Sequence, residues 1–349
     1  MTRDDLCVVI GRFSPYHNGH KQWISKACAQ FTNVLILIGS EDRARCLHTP
    51  WTVDERRDMM RFDYPNLVAI EGIRDYPYPY KNQKWIKQVQ DKVQQYSGRN
   101  TKISILCNTD ARGTTPYIEF FPEWEKHYIS TRNDINATMI RELYFNQTLD
   151  GHPVSDKMHM TILRNMVPNN TFLRLREDYL RVEYKALQET YHKMLENRAA
   201  FGAGPHVTTD MIVTCQKHVL LVTRKNHPGQ GLLAMPGGYL EPGLTLEQNA
   251  IKELVEETGI SLTDSKMPKG LGSPRMFDAV NRSSTGRNVT AVYHVDIKSK
   301  KLPAVKGGDD AMYASWYPIS EVMDIPYLFH DDHFHILEVM LHGRKKSNP

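Results

Sequence analysis

The stretch Gly11-Arg12-Phe13-Ser14-Pro15-Tyr16-His17-Asn18-Gly19-His20 decides the fold of the first half of the chain. It follows the apolar run Leu6–Ile10, which predicts a buried strand of a parallel sheet. Apolar residues then recur at helical spacing from Lys21 to Phe31. The two histidines are therefore predicted where a strand ends and a helix begins. At such points open α/β sheets bind ligands, and helix amides attract phosphate.

Strands and helices alternate through the rest of this half. The predicted strands are 33–39, 68–73, 102–107 and 127–130, and the predicted helices are 54–61, 83–96 and 137–145. This alternation predicts an α/β fold with a Rossmann-like, doubly wound parallel sheet. No GxGxxG follows the first strand, which excludes the dinucleotide fingerprint of dehydrogenases.

The length of 349 residues suggests two domains. A short helix over 157–166 and a long helix over 171–199, capped by Thr171, are predicted to close the first domain. We place that domain at residues 1–200, a Gly/Pro linker at 201–205 and a second domain at 206–349.

Composition narrows the functional classes. The net charge of +4 gives no reason to invoke nucleic acid, and no basic patch with interleaved aromatic residues supports an RNA-binding or decapping protein. The five cysteines form no CxxC pair, which favours a reducing compartment. No apolar run approaches the ~18 residues of a membrane span. We expect a cytoplasmic protein that contacts no membrane, and the sequence leaves a homo-oligomer open.

Two segments carry residues suited to phosphate chemistry. His17 and His20 are three apart on a first helical turn, so their imidazoles can point the same way, although histidines that merely cap a helix are an alternative. Gly19 lets the backbone approach a phosphate because it has no Cβ. In the second segment, Ile135–Arg141, Thr138 and Arg141 are also three apart at a helix start. Their hydroxyl and guanidinium can converge on a triphosphate.

Both segments resemble motifs of the nucleotidylyltransferase superfamily. The first matches GxFxPxHxGH and the second matches ISxTxIR, with Asn136 where serine is commoner. The resemblance implies transfer of a nucleotidyl group from ATP, with His17, His20 and Arg141 as catalytic residues. The ATP-binding residues that it implies are Gly11, Arg12, Phe13, His17, Gly19, His20, Asn136, Thr138 and Arg141.

Residues between these motifs resemble the archaeal type of nicotinamide-mononucleotide adenylyltransferase. The resemblance implies that the nicotinamide nucleotide is bound by Ser40, Arg56, Asp75, Asn82 and Trp85. Asp110 and the Tyr117–Pro122 segment fit the same pattern. An indole face suits stacking on a flat cationic ring, but the spacing of Trp85 also fits a core residue. Another adenylyl or cytidylyl acceptor therefore remains an alternative.

The second half carries a glycine-rich loop, Pro236–Gly243, followed by a predicted helix from Thr245 to Thr258. Glu253, Glu256 and Glu257 stand on one face of that helix. Three carboxylates held together repel one another, and a hard divalent cation such as Mg²⁺ or Mn²⁺ relieves the repulsion. We therefore predict these three as metal ligands, the last two as catalytic, over the alternative of an exposed acidic face.

This region resembles the Nudix box, GX5EX7REUXEEXGU, in which U is aliphatic. Two positions depart, since Leu244 replaces the first glutamate and Lys252 replaces the arginine. We hypothesise that this structural pair was replaced together, with the alkyl stem of Lys252 covering Leu244. Gly237, Gly238, Arg282 and Arg287 are the ADP-ribose-binding residues that the resemblance implies. His330–His335 is interpreted as a helix cap with surface histidines rather than a metal cluster.

Together the two halves resemble the bifunctional nicotinamide-mononucleotide adenylyltransferase/Nudix hydrolase family. The resemblance implies a Nudix α/β/α sandwich with a mixed sheet after the first domain. It also implies two Mg²⁺-dependent reactions: synthesis of NAD from ATP and nicotinamide mononucleotide, and hydrolysis of ADP-ribose to AMP and ribose 5-phosphate. The alternative for the second half is a module that only senses ADP-ribose or NAD, or that acts on another nucleoside diphosphate derivative.

Overall fold

The computed structural model describes residues 5–61, 63–64, 67–76, 82–98, 100–108, 116–130, 135–146, 148–149, 152–261 and 271–342. The chain divides into two compact units, and the boundary between them lies at residues 188 and 189, inside a helix. No helix in the described ranges is long and apolar enough to cross a bilayer.

The first unit contains a five-stranded parallel sheet in the order β3-β2-β1-β4-β5. Its strands are β1 (Leu6–Gly11), β2 (Asn33–Ile38), β3 (Ala69–Gly72), β4 (Ile103–Asn108) and β5 (Glu125–Ile129). Its first four helices are α1 (Asn18–Gln30), α2 (Val53–Met60), α3 (Asn82–Gln94) and α4 (Ala137–Asn146). The predicted doubly wound sheet is confirmed. Because β1 lies between β2 and β4, the strand order reverses beside it, and the histidine motif follows β1 at this switch point.

After a small hairpin, β6 (Thr148–Leu149) and β7 (His152–Pro153), come α5 (Asp156–Met166), α6 (Asn169–Asp178) and α7 (Val182–Phe201). The prediction of one helix over 171–199 is wrong, and Thr171 lies buried inside α6 rather than capping it. The break follows Asp178, whose carboxylate accepts a hydrogen bond from Trp51 Nε1 (3.0 Å) and pairs with Arg181 (3.3 Å). Sequence periodicity cannot reveal such contacts.

The second unit contains a seven-stranded mixed sheet with a central path β10-β9-β8-β13-β12, in which β11 also pairs with β8 and β14 with β9. The strands are β8 (His206–Cys215), β9 (His218–Arg224), β10 (Leu233–Ala234), β11 (Gly237–Tyr239), β12 (Arg275–Phe277), β13 (Asn288–Asp296) and β14 (Ala311–Pro318). Helix α8 (Leu246–Thr258) packs into one buried cluster through Ala250 and Leu254. Helices α9 (Ile319–Val322) and α10 (His333–His342) pack into another. The predicted α/β/α sandwich is confirmed.

Helix α8 begins and ends at signals that the sequence carries. Thr245 and Gln248 form a reciprocal capping box, which satisfies two backbone donors at its start. Gly259 ends the helix in the left-handed region at φ 71°. These two ends fix which turns of α8 carry the predicted metal-binding glutamates.

Candidate active sites

The turn after β1 places the first histidine at the N-terminal end of α1. Phe13 adopts a positive φ of 50°, and a Cβ on Gly11 would lie 2.8 Å from the Phe13 ring. His17 is the N-cap residue of α1, and its Nδ1 accepts the amide hydrogens of Gly19 (3.1 Å) and His20 (3.4 Å). Capping therefore fixes the proton of neutral His17 on Nε2, which leaves an N–H donor for a ligand.

The two imidazoles of the motif stack. Their ring centroids lie 3.7 Å apart, and the edge of Phe13 contacts His20 at 4.9 Å. Burial, with the nearby charge of Arg141, lowers the pKa of His17 to about 3, and burial lowers the pKa of His20 well below its usual value. Both rings are therefore neutral at pH 7. Neutral imidazoles can donate hydrogen bonds to a ligand but carry no positive charge.

The second motif meets the first through Arg141. Its Nη1 donates to the carbonyl oxygen of Ser14 (2.6 Å), and its Nη2 donates to Thr138 Oγ1 (3.1 Å). Asn136 Oδ1 accepts the amide of Met139 (2.9 Å), so Asn136 caps the start of α4. The structure thus brings the two motifs together, although they are more than a hundred positions apart in the sequence.

Arg56, predicted to bind the nicotinamide nucleotide, is fully buried. Its Nη1 donates to the carbonyls of Arg12 and Gly39 (2.7 Å each), its Nη2 to that of Ser40 (2.9 Å) and its Nε to that of Thr52 (3.2 Å). Burial lowers its pKa to about 10, so the guanidinium stays charged at pH 7. Arg56 thus ties α2 to the ends of β1 and β2.

Replacing Arg56 with lysine is expected to lower the free energy of unfolding by about 3 kcal/mol. An ammonium cannot satisfy four carbonyls in a planar fork, and each buried acceptor left unpaired costs about 1–3 kcal/mol. Denaturant unfolding checks this value. If Arg56 instead serves only the nucleotide, the KM for nicotinamide mononucleotide rises while the unfolding curve stays where it was.

The other residues predicted for this nucleotide lie nearby. The carboxylate of Asp75 accepts hydrogen bonds from the amide (3.1 Å) and hydroxyl (2.6 Å) of Ser40. Trp85 is half-buried, and its ring lies 5.9 Å from that of Phe121, so it borders the core as the alternative interpretation expected. The side chain of Asn82, like Asp110, lies outside the described residues.

In the second unit the glycine-rich loop touches the glutamates of α8. Glu257 is buried, and its Oε2 accepts the amide hydrogen of Gly237 (3.0 Å). A Cβ on Gly238 would lie 2.4 Å from Glu253 Oε1. Only glycine therefore leaves room for the Glu253 carboxylate at this position.

The electrostatics of these glutamates fit a divalent cation. Burial raises the pKa of Glu257 to about 8 and that of Glu253 to about 7. Repulsion from Glu253 adds to the first shift, and repulsion from Glu256 adds to the second. A bound cation would relieve both costs. Within the described ranges, however, no three His, Cys, Asp or Glu side chains already converge as a metal-binding group. The predicted three-glutamate set stays a prediction.

Lys252 contacts the third of these glutamates. Its ammonium lies 2.5 Å from Glu256 Oε2 and 3.1 Å from Glu241 Oε1. Leu244 is half-buried and lies two residues before the start of α8. The ammonium thus pairs with a predicted metal ligand, a contact that the covering hypothesis did not include.

Replacing Lys252 with methionine is expected to lower the Mn²⁺ concentration at half-saturation by about twofold to fivefold. The ammonium competes with the cation for Glu256, and an exposed ion pair contributes little, so the expected shift is small. Isothermal titration with Mn²⁺ checks the shift, and Lys252→Arg is the matched control that keeps the charge. Equal Mn²⁺ affinities in wild type and Lys252→Met would contradict this competition.

A cavity of about 210 Å³ lies beside the glycine-rich loop. Gly237, Gly238 and Arg282 line it, as predicted for a ligand site, but the Arg282 guanidinium already pairs with both oxygens of Asp332 (2.9 and 3.1 Å). Arg287 instead donates to the carbonyls of Asp278 and Ala279, which braces the loop before β13. Of the predicted ligand residues, Gly237, Gly238 and Arg282 thus line the cavity, whereas Arg287 stabilises a neighbouring loop.

Sequence reasoning missed several cavity residues. Asp210 on β8 is buried and accepts the hydroxyl hydrogen of Thr290 (2.5 Å). The interpretation of surface histidines at the start of α10 is wrong for two of them, because His330 and His333 line the cavity. His333 Nδ1 accepts the amide hydrogen of Met235 (3.1 Å). The sequence pattern at the start of a helix does not predict that tertiary packing will place these histidines along a cavity.

Two family models match the two parts of the chain. The cytidylyltransferase-like model matches residues 8–143, and the NUDIX domain model matches residues 204–339. Each match contains the motifs described above for its unit.

Proteins of known sequence or structure are similar to each of the two parts of the chain. An ADP-ribose pyrophosphatase of Methanocaldococcus jannaschii is 30% identical over 35% of this chain and 68% of its own length. A nicotinamide/nicotinic acid mononucleotide adenylyltransferase of Acinetobacter baylyi is 26% identical over 55% of this chain and 95% of its own. The crystal structure of a bifunctional NMN adenylyltransferase/ADP ribose pyrophosphatase from Francisella tularensis covers 97% of this chain and 98% of that one, at 28% identity and a TM-score of 0.83. This chain belongs to the family of bifunctional nicotinamide-mononucleotide adenylyltransferase/Nudix hydrolases.

Proposed function

We propose that the first unit transfers the adenylyl group of ATP to nicotinamide mononucleotide, giving NAD and pyrophosphate. The observation that carries this proposal is the hydrogen bond of Arg141 to the Ser14 carbonyl (2.6 Å), which joins the two motifs into one site. The phosphate of the mononucleotide attacks the α-phosphate of ATP, where negative charge builds on the oxygens. The Nε2–H of His17, the ring of His20 and the Arg141 guanidinium supply donors for that charge.

We propose that Asp75, held by Ser40, and Trp85 bind the nicotinamide nucleotide. Trp85 is only half-buried, and an accessible indole suits stacking on a cationic ring. A Trp85→Ala variant therefore raises the KM for nicotinamide mononucleotide and leaves the KM for ATP near that of wild type. An unchanged KM for the mononucleotide would point to another acceptor.

We propose that the second unit hydrolyses ADP-ribose to AMP and ribose 5-phosphate. The buried Glu257 and the half-buried Glu253 beside the cavity support this, with Glu256 as the third ligand of Mg²⁺ or Mn²⁺. When bound, such an ion polarises the diphosphate and lowers the pKa of an attacking water. The Francisella structure was also solved as a complex with AMP and a manganese ion. In this chain Gly237 and Gly238 line the cavity in which the diphosphate would lie.

The ion pair of Lys252 with Glu256 favours a second candidate, a module that binds ADP-ribose without cleaving it.

One experiment distinguishes hydrolysis from binding alone. Purified protein is incubated with ADP-ribose and Mg²⁺, and AMP is followed by chromatography, with Glu256→Gln as the control. AMP release that the variant abolishes supports hydrolysis. Absence of AMP while NAD synthesis proceeds supports the binding module.

A further inference from the structure

The last turns of α7 form one wall of the hydrolase cavity. Thr190, Lys193, Met194 and Asn197 line it, and their spacing of i, i+3, i+4 and i+7 places them on one helix face. All four precede residue 204, where the NUDIX match begins. The cavity therefore includes a wall that lies outside the matched domain.

This part of α7 belongs to the second unit and contacts the rest of that unit at two points. Glu189 Oε2 lies 3.8 Å from His227 Nε2 in the loop after β9, and that loop also lines the cavity. Just beyond the helix, the carbonyl oxygen of Gly202 accepts a hydrogen bond from His206 Nε2 (3.3 Å) at the start of β8. The helix face thus has a defined place beside the cavity.

The charges of the cavity make Lys193 important. Of the three Lys and Arg side chains that line it, Arg282 is neutralised by its bidentate pair with Asp332. Arg224 donates its Nε–H to the carbonyl of Pro228 (2.8 Å) and, like Lys193, forms no ion pair with a carboxylate in the described part of the chain. The charge of Arg224 acts on the nearby Asp210 and Glu257 carboxylates, so Lys193 is the lining cation that is left, among the described residues, to pair with an anionic ligand.

We propose that Lys193 binds the diphosphate of the nucleoside diphosphate sugar that enters this cavity. The diphosphate is the only anionic group of such a ligand, and an ammonium on a long exposed stem reaches a phosphate oxygen without a fixed approach direction. Gly237 and Gly238 of the glycine-rich loop line the same cavity. The identity of the ligand as ADP-ribose rests on the proposed function, whereas the pairing of Lys193 with a diphosphate rests on the cavity.

The test uses the full chain and three variants. Lys193→Met removes the charge and keeps the alkyl length, Lys193→Arg keeps the charge, and Arg198→Met removes an exposed charge on α7 that does not line the cavity. Binding of ADP-ribose is measured by calorimetry in EDTA at two salt concentrations. The kcat and KM for AMP release in Mg²⁺ are measured in parallel, with NAD synthesis as a check on the fold.

Lys193→Met is expected to weaken ADP-ribose binding and raise its KM by about tenfold to thirtyfold, since a charged hydrogen bond is lost. Its kcat changes far less, and its binding depends less on salt than that of wild type. Lys193→Arg recovers most of the affinity, and Arg198→Met matches wild type. If wild type binds ADP-ribose through Lys193 but releases no AMP, the inference stands and the proposed hydrolysis fails. Unchanged binding in Lys193→Met, an equal loss in Arg198→Met, or no binding by wild type overturns the inference.

Discussion

His17→Asn is expected to lower the kcat of NAD synthesis by about a hundredfold to a thousandfold, the usual effect of removing one donor to developing charge. Asparagine is a good N-cap residue, and its Oδ1 can accept the amides of Gly19 and His20 as His17 Nδ1 does. The variant therefore keeps the start of α1 and removes the Nε2–H. The lower kcat would therefore reflect weaker stabilisation of the transition state and not a disturbed fold.

Steady-state kinetics with nicotinamide mononucleotide and ATP measure this effect, and a thermal melt measures the fold. His192→Asn is the matched control, because His192 is an exposed histidine of α7. A kcat within threefold of wild type would show that His17 is only a cap. A large fall in melting temperature would mean that asparagine does not replace the cap.

Glu257→Gln is expected to lower ADP-ribose hydrolysis by about a thousandfold, because a neutral amide holds a divalent cation far more weakly than a carboxylate. The amide oxygen of glutamine can still accept the Gly237 amide hydrogen, so the loop keeps its contact with α8. The fall in rate therefore measures the effect of removing the negative charge of Glu257. AMP release at saturating ADP-ribose and Mg²⁺ measures it.

The same substitution is expected to stabilise the protein when no divalent cation is present. Between its ordinary value of 4.5 and about 8, Glu257 holds a proton in the folded state that the unfolded state has lost. Stability of wild type therefore falls as pH rises through this range, by up to about 1.4 kcal/mol per pH unit. Glutamine removes this cost, which amounts to about 3 kcal/mol at pH 7.

Unfolding in EDTA at several pH values between 5 and 8 tests this second effect. Glu247→Gln is the control, since Glu247 lies in the first turn of α8 and its carboxylate accepts the amide of Leu271 (2.9 Å). The gap between Glu257→Gln and wild type should widen as pH rises. A constant gap, or a less stable variant, would show that Glu257 is not buried as a costly carboxylate.

The sequence predicted those parts of the sites that depend on local spacing. The strand before Gly11, the helix start after the histidine motif and the helix from Thr245 to Thr258 each follow from a few consecutive residues, and the structure contains all three. The glutamates of α8 come from the same kind of pattern. The environment of these glutamates could not be predicted from such a pattern, because the raised pKa values of Glu253 and Glu257 depend on the residues that pack around them.

The sequence could not predict contacts between distant segments. Arg56 stood in a segment that resembled a nucleotide site, yet its guanidinium donates to four backbone carbonyls. His330 and His333 followed a helix-start pattern, but the packing of α10 places them along the cavity. Lys193 gave no signal, since a lysine on a charged helix is usually solvated. In each case tertiary packing decides the function of the side chain.

The central claim is that one chain carries two separate active sites, one in each unit. The most direct measurement assays NAD synthesis and AMP release from ADP-ribose on the same preparations of wild type, His17→Asn and Glu257→Gln. The account predicts that wild type performs both reactions, that His17→Asn loses only the first and that Glu257→Gln loses only the second. A wild type that lacks either reaction, or a variant that loses both while remaining folded, would contradict it.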